Sequence, residues 1–120
     1  MTGGRASVRA VEPGDFMKED TRQWIEALEA EWSMPDGFLR KAREGVFDER
    51  QGADFVALLE RIELADGPLI DRRLVALVWY MPQFLRWQEE RVAERGGDLA
   101  AFARLTTRVH GIVEAILGVP

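Results

Sequence analysis

The side chains able to move protons, attack carbonyls or hold metals are few in this chain, and they do not gather. Its one histidine is His110. Glu114 follows about one helical turn later, so on a helix the two share a face. That pairing suits a general base with its orienting carboxylate, or half of a metal site. It is equally the spacing of an ordinary surface charge pair. With a single histidine, neither HExxH nor two Glu-x-x-His motifs can be written. Cysteine is absent, which removes disulfides and thiolate metal sites. Ser7 and Ser33 lie in no GxSxG elbow. Gly96-Gly97-Asp98 lacks the lysine of a phosphate loop. Glu89, Glu90 and Glu94 read as a solvated helix end. The sequence displays no catalytic apparatus, no metal set and no cofactor motif.

What it offers instead is recognition chemistry. Residues 74–85, LVALVWYMPQFL, form a long apolar run without charge. It is too short for a bilayer, where roughly 20 apolar residues are needed, and too evenly apolar for a half-exposed surface helix. Within and beside it stand Arg73, Trp79, Tyr80, Arg86 and Trp87. Aromatic residues and arginines concentrate binding energy at protein interfaces, so these five are the candidate partner-binding residues. The competing explanation is that neighbouring helices simply bury them. A second arrangement is a small-molecule pocket, or the site of a modest enzyme, lined by Trp79, Tyr80, Met81 and His110 between the central and C-terminal helices. A third is a short helix–turn–helix whose second helix carries Arg40, Lys41 and Arg43.

Elements to position these residues follow from periodicity. Trp24, Leu28 and Trp32 recur every fourth residue and predict a first helix near 20–32, with Asp20 as its N-cap. Pro35 suits the first turn of a second helix over 35–44, closed by Gly45. Asp48 opens a third helix bearing Phe55, Leu58, Leu59 and Ile62, with Phe47 as a staple. Residues 65–68 read as a turn. A long helix over 69–95 turns Ile70, Leu74, Leu77, Met81, Phe84, Leu85 and Val92 to one face, with Trp79 nearly opposite. Pro82 within it predicts a kink and withdraws a hydrogen bond from the Val78 carbonyl. Asp98 opens a last helix to Leu117, whose Leu99, Phe102, Thr106, Val109, Val113 and Ile116 form a core seam. Residues 1–18 predict a flexible N-terminal arm, and 19–120 one helical domain.

The fold class expected is therefore all-α: a compact bundle of four to five helices around a central, Pro-kinked helix. With 120 residues and 47% hydrophobic content, one such core can form. The net charge of −5 disfavours nucleic acid and anionic membranes as partners. No signal-peptide pattern opens the chain, so a soluble, cytoplasmic protein is expected. The function expected is that of a protein-interaction module: an adaptor, an inhibitor or immunity-type binding protein, or an assembly subunit. Its partner is another protein or, as a homodimer, its own copy.

Overall fold

Three aspartates start helices by the same device, a side-chain oxygen accepting an otherwise unpaired first-turn N–H. Asp48 accepts from Gln51, Asp71 from Arg73 and Leu74, and Asp98 from Ala101. The computed structural model describes residues 19–64 and 69–120. The arm expected over 1–18 and the turn expected over 65–68 lie outside the described residues. In chain order the helices are α1 (Glu19–Ser33), α2 (Phe38–Ala42), α3 (Glu49–Glu60), α4 (Arg72–Val78), α5 (Met81–Trp87), α6 (Glu89–Glu94) and α7 (Leu99–Leu117). No strand occurs among the described residues, so the fold is all-α. Because α4, α5 and α6 follow one another almost without a gap, the path has five helical legs.

Several boundaries differ from the sequence reading. Asp20 lies inside the first turn of α1 rather than capping it. The second helix spans five residues, because residues 34–37 are used in a turn closed by Gly37 N–H donating to the Met34 carbonyl. The first N–H of α2 donates to the Glu31 carboxylate across 2.8 Å, so α1 supplies the cap that α2 lacks. The largest difference is in the central leg, which is three short helices and not one.

Two side chains bond to carbonyls at the interruptions, and Pro82 has no N–H to give the Val78 carbonyl. At the first, α4 ends at Val78, and the Leu77 carbonyl accepts from the Trp32 indole N–H at 3.0 Å. Pro82 then sits in the first turn of α5, where a missing N–H is least costly. At the second, the Gln88 N–H donates to Leu85 rather than Phe84, and the buried Gln88 side-chain amide donates to the Phe84 carbonyl instead.

The central leg is sandwiched: α4 packs on α1, while α5 and α6 pack on α7, which also holds α3. The core runs through Leu28, Phe38, Leu39, Phe55, Leu59, Leu74, Met81, Leu85, Val92, Phe102 and Val109, all essentially inaccessible. Phe38 stacks on Phe55 with centroids 4.7 Å apart, and Phe47 meets Phe102 edge-on at 5.1 Å. Leu99, expected in the α7 seam, is exposed at the first position of that helix.

Gly45 locks the bend between α2 and α3. Its φ is +81°, and a Cβ there would lie 2.7 Å from the Arg91 carbonyl oxygen. Gly45→Ala combines a left-handed backbone penalty of about 1–2 kcal/mol with overpacking of about 1–3 kcal/mol. The expected loss is about 2–5 kcal/mol, read as a lower urea midpoint at unchanged m-value.

Candidate functional site

The aromatic group lies at the interruption between α4 and α5. On a helical wheel Tyr80 and Trp87 share a side, with Trp79 about a quarter-turn away. Here Trp79 and Tyr80 occupy the turn itself, and Trp87 closes α5. The Tyr80 ring stands between the two indoles, with centroids 5.4 Å from Trp79 and 5.7 Å, edge-on, from Trp87. Both indoles face outward, 59% and 60% exposed, while Tyr80 is half-buried. Together they make an aromatic ridge on the order of 300 Å², the scale of the largest apolar patch on a typical monomer and often a functional one.

Tyr80 is also one wall of a cleft beside that ridge. The cleft has a volume of 310 Å³ and is walled by Trp32, Leu77, Tyr80 and Phe84, with Arg43, Arg73 and Glu29 at its polar side. Arg73 Nε donates to a Glu29 oxygen at 2.8 Å, and Nη2 lies 2.8 Å from the same oxygen in the ion pair. The Arg43 guanidinium lies 5.6 Å from the centre of the Phe84 ring. Beyond it, Arg40 pairs with Glu44, and this hydrogen bond and charge hold the Glu44 carboxyl below its usual range.

Trp32 is the structural floor of this region: its ring meets Phe84 edge-on at 4.9 Å, and its indole N–H serves the turn that presents Trp79 and Tyr80. Trp32→Phe keeps an aromatic ring but leaves the Leu77 carbonyl without that donor. The expected destabilisation is about 1–2 kcal/mol, measured by thermal unfolding, with altered near-ultraviolet ellipticity from the loosened turn.

Arg86, the fifth residue of the proposed binding set, turns from the ridge towards α7. Its Nη2 lies 3.2 Å from His110 Nδ1, and His110 Nε2 lies 3.3 Å from a Glu114 oxygen. The geometry fits the tautomer in which Nε2–H donates to Glu114 and Nδ1 accepts from Arg86. The residues of the alternative pocket are therefore dispersed. Met81 is wholly buried, Trp79 is outside, Tyr80 lines the cleft, and His110 is on the α7 surface against Arg86. A larger open groove of 670 Å³ runs elsewhere, between the end of α3 and the later turns of α7. Leu59, Ile62, Ile112 and Ile116 line it, beside the Glu60–Arg108 ion pair.

Glu29, Trp32, Arg43 and Phe84 join the site without having been singled out for it from the sequence. Their partners lie dozens of positions away, so local spacing carries no signal for them. Arg40 and Lys41, named for a recognition helix, lie on α2 and Arg43 is its C-cap; that helix is five residues long and buries Phe38, Leu39 and Ala42. No group of three or more His, Cys, Asp or Glu residues converges among the described residues. No described helix is long and apolar enough to cross a membrane. Comparison with protein-family models, with functionally described proteins and with solved structures finds no match for this chain.

Proposed function

We propose that this protein is a small helical protein-interaction module that engages another protein through the ridge of Trp79, Tyr80 and Trp87. The observation that carries the reading is that two tryptophans, with more than half their surface open, flank one tyrosine on a fixed turn. Large aromatic side chains are the residues that dominate interface energetics. Their presentation on a turn tied to α1 by the Trp32 indole limits the ordering cost of binding. The adaptor, inhibitor and assembly-subunit roles all use such a surface, and each requires the same first test.

The test is affinity capture from native lysate with tagged protein, beside the Trp79→Ala/Trp87→Ala variant. A stoichiometric protein retained by the first and lost by the second supports the reading. Capture of the same proteins by both, with the variant fully folded, rejects the ridge as the binding surface. Light scattering on the purified chain decides whether its own copy occupies the surface instead.

A further inference from the structure

The chemistry beside the ridge narrows the kind of partner it fits. Arg43, Arg73 and Glu29 meet at the cleft, leaving one positive charge in excess in a chain whose net charge is −5. Arg73 is engaged by Glu29. Arg43 differs: among the described residues no carboxylate forms a salt bridge with it, and its guanidinium rests over the Phe84 ring. The segment behind that side chain is held in place, since Arg91 Nη1 donates to the Arg43 carbonyl at 2.8 Å. A planar, weakly hydrated guanidinium beside aromatic walls suits a carboxylate, which it can meet through two parallel N–H donors. Arg43 is exposed, so a partner's carboxylate can reach it, and Trp32, Leu77 and Phe84 offer apolar contact to the methylene groups of that side chain.

We infer that the cleft receives an aspartate or glutamate side chain of the partner, so that the ridge binds an extended acidic segment carrying an apolar residue next to its carboxylate. The apolar residue covers the Trp79–Tyr80–Trp87 ridge, and the carboxylate meets Arg43 across the shared wall of Tyr80. This inference rests on the proposed interaction role and specifies its partner. The charge balance of the cleft, one positive in excess within a chain of net charge −5, favours such a segment there.

Panning a phage-displayed library of random linear dodecapeptides against the full chain tests it. Selected peptides are then synthesised and titrated by fluorescence anisotropy against the wild type, Arg43→Glu, Arg43→Gln and Trp79→Ala/Trp87→Ala. The expected peptides are enriched in Asp or Glu beside an aromatic or aliphatic residue. Their affinity falls roughly tenfold with Arg43→Gln, the loss of one charged hydrogen-bond partner, and further with Arg43→Glu. Replacing the peptide acid by its amide costs a similar factor against the wild type and little against Arg43→Gln, the signature of a direct pair. Raised salt weakens binding to the wild type more than to Arg43→Gln. Peptides that depend on the tryptophans but show no acidic preference, and bind the Arg43 variants equally, overturn the inference while leaving the interaction role intact. A selection yielding no peptide that depends on the tryptophans overturns both.

Discussion

Phe38→Ala lowers the unfolding free energy by about 3–5 kcal/mol, the range for deleting a fully buried phenylalanine. Phe38 is 1% exposed, stacks on Phe55 at 4.7 Å and meets Phe47 edge-on at 6.4 Å. Position makes the loss harder to absorb. A helix of five residues has negligible stability of its own, so α2 depends chiefly on the burial of Phe38, Leu39 and Ala42, beside the Glu31 cap and the Arg91 bond to the Arg43 carbonyl. Removing the largest of these frees α2, and with it the turn at Gly45 that meets Arg91. A domain of this size has about 5–15 kcal/mol in hand, so the loss is a large share of its total stability. Urea denaturation followed by ellipticity measures the loss. A shift of less than about 1 kcal/mol would mean that Phe38 is not the anchor described.

Trp79→Ala and Trp87→Ala have the opposite profile. Each is more than half exposed, so each changes stability by no more than about 0.5 kcal/mol. Each is expected to weaken partner binding by about 2 kcal/mol or more, the threshold for an interface hot spot, which is about thirtyfold in affinity. Because both indoles touch the Tyr80 ring, their effects will not simply add. Isothermal titration with the captured partner gives the affinities, and calorimetric scans of the free variants give the stabilities. Unchanged affinity with lowered stability would return both tryptophans to a structural role.

Repeating apolar patterns made most of the helical architecture legible. The spacing of Phe102, Thr106, Val109 and Val113 identifies the buried side of α7, and all four are buried. The core face assigned to the central leg holds for Leu74, Leu77, Met81, Phe84, Leu85 and Val92, with Ile70 only partly covered. Asp48, Asp98 and Gly45 act as the local chemistry of caps and turns requires. Pro82 marked a bend in the central leg, but its division into three short helices was hidden, because what serves the breaks is not local in the way that periodicity is. One carbonyl is served by Trp32 from α1, and another by the folded-back amide of Gln88. The same reason hides the cleft. Trp79, Tyr80 and Trp87 are conspicuous by type, but a helical wheel does not say which neighbours cover a face. Arg43 over Phe84 and Glu29 against Arg73 arise only when α1, the end of α2 and the central leg have packed.

The most direct test of the ridge as a protein-binding surface is photo-crosslinking from its own position in living cells that make the protein. Trp87→p-benzoylphenylalanine keeps a large aromatic group at the exposed end of α5, and the same substitution at exposed Arg50 on α3 serves as the control. On irradiation, position 87 should give one dominant crosslink to a second, different protein, and position 50 should not. If the two positions give the same diffuse pattern, or position 87 crosslinks only to copies of this chain, the ridge is not the surface through which it meets another protein.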